Sequence, residues 1–249
     1  MLRALVDAGI RPDLVVGSSA GAINSFCFAQ HPTQRGLDRL AGLWRGLRRR
    51  DVFPLHPWHL VTGLFGRRDG LVSADRLAAF LRSHIGIARL EDTSVPVHVV
   101  ATDLAAGQPV VLSEGNAVDA LLATSALPGV YPPVVLNGRP LVDGGITADT
   151  PVRQAEELGA TEIYVLPTVG PSEPGRLPHG AVAVLLHAVG HMFGRATAMD
   201  LEVVRGRVHV LPAPAHDGAN PFAFGGTDVL MEKGYRATAA ALERVQVVA

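Results

Sequence analysis

The residues best suited to chemistry stand near the start of the chain, where Gly17-Ser18-Ser19-Ala20-Gly21 forms a G-x-S-x-G pentapeptide. It follows the apolar run Leu14-Val15-Val16 and precedes a helix-forming stretch from Ala22 to Ala29. Strand, sharp turn and helix are the context in which such a serine is held out as a nucleophile. Gly17 and Gly21 let the backbone make a tight, strained turn at Ser19. The helix beyond aims its free amides and positive dipole end at the place where an oxyanion would form. The pentapeptide also fits a second reading, a Gly/Ser loop between strand and helix with no chemical role.

A second candidate is Leu141-Val142-Asp143-Gly144-Gly145. Asp-Gly-Gly after a short apolar run can set a carboxylate at a strand end, with Gly144 and Gly145 forming the turn. Asp-Gly is equally a common turn dipeptide, so the residues alone leave both readings open.

Histidines supply a third arrangement. Ser19, then Asp103 or Asp143, then His187, His191, His209 or His216 run in the order of an α/β-hydrolase triad. Position argues against it, because that fold places several strands before its elbow and here one strand-like run precedes Ser19. His209 falls within a strand-like run, and His187 and His191 fall on a helical one. These last two are four apart and share a helix face, a spacing compatible with metal ligation. The segment lacks the glutamate of a zinc-protease helix, so packed or half-exposed histidines and no metal are expected.

The elements that must position these residues alternate along the chain. Strand-like runs occur at Leu14–Val16, Val95–Ala101, Pro109–Leu112, Ile163–Leu166 and Val208–Leu211, with a shorter one at Pro140–Val142. Helical patterns cover Leu37–Arg49, Ser73–His84, Ala117–Ser125, Val152–Leu158, Ala181–Ala198 and Asp228–Val245. Such alternation predicts an α/β sandwich of parallel strands and crossover helices in a single domain over residues 1–249. The Pro- and Gly-rich stretch from Gly170 to Gly180 reads as a surface loop.

Composition narrows the function classes. The 249 residues are 48% hydrophobic and 18% charged, which excludes a disordered chain. A formal net charge of −1 gives no whole-protein attraction to nucleic acid. The one cysteine, Cys27, forms no internal disulfide and fits a reducing compartment without proving it. It is expected to be a buried structural thiol. A cytoplasmic or peripheral-membrane location is expected. No apolar run reaches the roughly 18 residues of a membrane span.

The chain resembles the patatin-like phospholipases, whose nucleophile is a G-x-S-x-G serine and whose base is the aspartate of a D-G-[GA] motif. Leu5 to Ile23 (LVDAGIRPDLVVGSSAGAI) is similar to that family's helix, strand and elbow. Ala101-Thr102-Asp103-Leu104 is similar to a family strand end, and Thr124 to Val134 (TSALPGVYPPV) to the segment before the second motif. Leu141 to Val152 (LVDGGITADTPV) resembles the aspartate motif and its following turn. The resemblance implies a three-layer sandwich with a mostly parallel sheet and a Ser-Asp dyad without histidine. Ser19 would attack a lipid ester through an acyl-serine intermediate, and Asp143 would take its proton. Ala20 would donate to the oxyanion by elbow geometry, and neither metal nor organic cofactor is required.

Met1 to Ala8 reads as the last turns of a helix with Gly9 just past its end. A helix opening at its own initiator is unusual, and the family's first strand and Gly-rich oxyanion loop have no counterpart. The sequence is therefore expected to start downstream of its natural beginning, with weak or no activity in this form. That absence also favours a competing reading, a catalytically impaired member that binds an acyl lipid or a partner. Finally, Arg48-Arg49-Arg50 follows Leu40, Leu43, Trp44 and Leu47 and precedes Phe53, Trp58, Leu60, Leu64, Phe65, Arg67 and Arg68. This stretch is either a helix with a solvated basic side or a cap that docks on a lipid surface.

Overall fold

The structure is a computed structural model that describes residues 1–52, 69–167, 179–213 and 226–248. In chain order its elements begin with helix α1 (Leu2–Asp7), β1 (Val15–Ser18), α2 (Ser19–Gln30), α3 (Gln34–Gly46) and α4 (Arg49–Val52). Then come α5 (Asp75–His84), β2 (Val97–Asp103), β3 (Gln108–Leu112), α6 (Ala117–Thr124), β4 (Val134–Leu136) and β5 (Arg139–Val142). The last are α7 (Gly145–Ala148), α8 (Val152–Glu157), β6 (Glu162–Val165), α9 (Ala181–Val203), β7 (Arg207–Val210) and α10 (Thr227–Val248). They fall into two compact units, Asp13–Pro151 and the union of Met1–Pro12 with Val152–Ala249.

In the first unit, β1 pairs parallel to β2, from Val15 opposite Val97 to Ser18 opposite Val100. β3 pairs antiparallel to β2 along Val99–Asp103. β5 meets β2 antiparallel at Thr102–Val142 and Asp103–Leu141, and β4 extends the sheet from β5. A strand has two edges, and β3 fills one of them over Val99–Asp103. β1 and β5 must therefore share the other edge, approaching it from opposite directions. β1 ends opposite Val100 and β5 ends opposite Thr102, so their C-terminal ends converge on the level of Ala101. The residues that follow those two ends are Ser19 and Asp143.

The α/β architecture is the expected one, but the sheet is mixed rather than purely parallel. Residues 104–107 join β2 to β3, and Asn137-Gly138 joins β4 to β5 with φ of 51° and 77°. Connections this short can form only hairpins, since a parallel crossover needs a dozen residues or more. β4 and α7 escape any periodicity argument because they are three and four residues long.

The core beneath the sheet is built on α2, whose apolar residues are not confined to one face and whose Asn24, Ser25 and Gln30 are hydrogen-bonded to neighbouring segments. Ala22, Phe26 and Ala29 are buried completely, among Leu81, Leu90, Val97, Val99 and Leu121. Side chains fix the starts of flanking helices. Thr33 accepts from the Gly36 amide at α3, and Asn116 accepts from the Asp119 amide at α6.

In the second unit, Ala4, Leu5, Leu211 and Leu242 form a smaller core with Ile10, Tyr164 and Tyr235. The amides of Gly9 and Ile10 return to the carbonyls of Val6 and Leu5 and close α1, as its sequence implies. β6 and β7 pair in parallel. No helix among the described residues is long and apolar enough to cross a membrane.

Candidate active site

Ser19 opens α2 with a φ of +50°, a left-handed conformation unusual for a residue with a side chain. Such strain costs about 1–3 kcal/mol and persists only where the surroundings enforce it. Two features enforce it here. The Ser19 amide donates to Thr124 Oγ1 at 2.8 Å, and the start of α2 folds tightly over Gly17. A Cβ on Gly17 would stand 2.6 Å from the Ala22 nitrogen and from the Gly21 carbonyl group. Gly21 differs from Gly17, because a side chain there would meet nothing within 4 Å. Since α2 begins at Ser19, the Ala20 amide has no carbonyl four residues back to bond within the helix.

The Ser19 hydroxyl donates to Asp143 Oδ2 at 2.8 Å. The other carboxylate oxygen, Oδ1, accepts from the Gly145 amide at 2.8 Å. Asp143 is buried, and burial pushes its carboxyl up to about 6. The bonds from Gly145 and Ser19 pull the other way, while the charge of Asp149 adds to the rise. Asp149 is itself shifted upward by burial. An alcohol that donates directly to a carboxylate of raised basicity has a built-in acceptor for its proton.

The backbone around Asp143 is held as firmly as its side chain. Its amide donates to the Ala126 carbonyl, and its carbonyl accepts from Thr102 Oγ1 at 2.9 Å. Thr102 in turn shares a 2.9 Å hydroxyl contact with Thr147. Gly144 is forced by space, since a Cβ there would lie 2.0 Å from the Val100 carbonyl oxygen. Thr102, Thr124 and Thr147 carried no sequence signal of their own. Hydroxyls that bond across more than forty positions become legible only once strand register is known.

Other candidates sit elsewhere in the chemistry. Asp103 Oδ1 accepts from the amides of Ala105 and Ala106, so it fixes the β2–β3 hairpin. His209 stacks on Tyr164 and bonds Glu162 at 2.9 Å. His187 and His191 share an exposed face of α9, with their Nε2 atoms 3.1 Å apart. Among the described residues, no cluster of three or more His, Cys, Asp or Glu is arranged to hold a metal ion. His216 and residues 53–68 of the basic and aromatic stretch lie outside the described residues. Of that stretch's beginning, Trp44 Nε1 donates to Asn24 Oδ1 at 2.7 Å, and the Arg48 amide donates to Asp51.

Residues 1–156 match the family model described as patatin-like phospholipase. An uncharacterised NTE family protein of Mycobacterium tuberculosis is 29% identical over 175 residues, covering 70% of this chain and 46% of the relative. The lysophospholipase NTE1 of Cryptococcus neoformans var. neoformans is 29% identical over 174 residues, 67% of this chain and 10% of that protein. The mouse patatin-like phospholipase domain-containing protein 7 is 24% identical over 169 residues, 67% of this chain and 12% of its own length. The chain thus spans less than half the length of these relatives.

Proposed function

The chain belongs to the patatin-like phospholipase family, and from that premise we propose that it hydrolyses carboxylic esters of lipids, with Ser19 as nucleophile and Asp143 as its base. The observation that carries the reading is the 2.8 Å bond from Ser19 Oγ to a buried carboxylate raised to about 6. Near neutral pH that carboxylate is mostly ionised yet much more basic than an exposed one.

Ser19 Oγ attacks the ester carbonyl carbon while its proton passes to Asp143 Oδ2. The carbonyl oxygen gains the electron pair of the π bond and is met by the Ala20 amide at the positive end of α2. The electron pair then returns, the carbon–oxygen bond to the alcohol breaks, and Asp143 gives its proton to the departing oxygen. Water attacks the acyl-serine in the same way, losing a proton to Asp143 and restoring the Ser19 hydroxyl. Gly145 holds Oδ1 throughout, which leaves Oδ2 free to exchange the proton. Lysophospholipase and phospholipase names among the relatives point to lipid esters as the substrate class.

The test is intact-mass analysis after treatment with a fluorophosphonate. One adduct is expected, and it should vanish in Ser19→Ala. A folded chain that takes no adduct, or one that labels equally in Ser19→Ala, overturns the assignment.

A further inference from the structure

We propose that Thr124 is the positioning residue that sets the separation of nucleophile and base, and that it reserves the oxyanion for the Ala20 amide. This rests on the Ser19–Asp143 reading above. Thr124 ends α6 and has no solvent exposure. Its hydroxyl donates to the Val100 carbonyl of β2, which uses its single donor. The lone pairs of Oγ1 are left to accept from the Ser19 amide at 2.8 Å. The carbonyl of the same residue accepts from the Gly144 amide at 3.2 Å. One buried residue thus grips the backbone of the nucleophile turn with its side chain and the backbone of the base turn with its main chain. Both grips are referred to β2, at Val100, whose partner in β1 is Ser18.

Two consequences follow for the reaction. The left-handed φ of Ser19 is stabilised by a bond to its own amide, so loss of the Thr124 hydroxyl frees the turn to relax. The Ser19 amide is also withdrawn from the set of free donors at the start of α2. The next amide, that of Ala20, is then the first one available to the developing oxyanion. Substitution by valine keeps the branched shape but removes the acceptor of the half-buried Ser19 amide and a donor to the buried Val100 carbonyl, and shifts Oγ relative to Oδ2. Displacements of this order cost rate rather than binding.

The experiment compares wild type, Ser19→Ala, Thr124→Val and Thr124→Ser by hydrolysis of a p-nitrophenyl ester and by the rate of fluorophosphonate labelling. Thr124→Val should lower kcat and the labelling rate by about tenfold to a hundredfold with KM little changed, and Thr124→Ser should restore most of both. If wild type shows no activity that depends on Ser19, the underlying reading fails. If activity does depend on Ser19 but folded Thr124→Val matches wild type, only the role of Thr124 is overturned. Equal impairment in the valine and serine variants assigns the effect to packing and also overturns it. Should the valine variant fail to fold, Thr124→Ala is read in the same assays. Hydrogen exchange of the Ser19 amide in wild type gives an independent reading. Protection comparable to the core supports the bond to Thr124, and exchange as fast as an open turn overturns it.

Discussion

Gly144 lies against Val100 so closely that a Cβ built on it would stand 2.0 Å from the Val100 carbonyl oxygen and 2.5 Å from Ser18 Oγ. Its φ of −65° is open to any residue, so space and not backbone freedom demands glycine here. The close approach lets the turn after Asp143 press onto the strand edge where the Ser19 turn begins. An added methyl must push the two turns apart, because the obstructing atom is backbone of a central strand. Gly144→Ala should therefore lose about 1–3 kcal/mol of stability and most of its activity. Gly21→Ala is the contrast, since its side chain meets nothing. Within α2 it should leave stability unchanged or raise it by about 0.5–1 kcal/mol. Urea unfolding of the two variants beside wild type checks both, and equal losses would refute the steric argument.

The rate of acylation should follow ionisation of Asp143. Its carboxyl is pushed up to about 6, first by burial, and in the proposed mechanism only the deprotonated form can accept the Ser19 proton. Below that value kcat/KM should fall about tenfold per pH unit, and above it the rate should level off. A pH series of kcat/KM on a neutral ester measures the inflection. A limb still rising well beyond pH 7 would point to a histidine or another group as the base.

Part of this candidate site was legible in the sequence. Ser19 stood out by its strand, turn and helix context, whereas Asp143 was singled out from a common turn dipeptide only by the resemblance of Leu141 to Val152 to a family motif. The register that brings them together was not legible, because it depends on β5 pairing with the last two residues of β2. Pro140 to Val142 gave a strand signal, but no short apolar run states its partner or its direction. The threonines were hidden for a related reason. Thr102 and Thr124 look like ordinary residues of a strand and a helix end until the sheet delivers their hydroxyls to the turns. Gly17 and Gly21 look equivalent in the pentapeptide, yet only Gly17 faces backbone at 2.6 Å.

Cys27 should be inert in the folded chain. Burial pushes its thiol up to about 11, against an ordinary value of 9.0. The thiolate, the reactive species, is then about a hundredfold scarcer at pH 8 than in an unperturbed thiol. Iodoacetamide at pH 8 should label native protein at least that much more slowly than protein in urea. Comparable rates would mean that α2 opens readily, which the complete burial of its neighbour Phe26 argues against.

Asp143 should also be a site where function is held at the expense of stability. An ordinary aspartate titrates near 3.8 and the folded Asp143 near 6. Between those values the folded chain keeps a proton that the unfolded chain has released. Stability from this group is thus fully present below pH 4 and is lost as pH rises through 6. Above that, the buried charge costs about 3 kcal/mol. Asn at 143 carries no charge, keeps an oxygen for the Gly145 amide and offers its amide group to Ser19 Oγ. Asp143→Asn should therefore unfold at or above the wild-type urea midpoint at pH 8, with the difference narrowing toward pH 4. Its activity should drop at least about a hundredfold, as expected for loss of a general base. A variant that is both inactive and markedly less stable at pH 8 would show that the carboxylate is needed for the fold, and would remove the case for a cost that only catalysis explains.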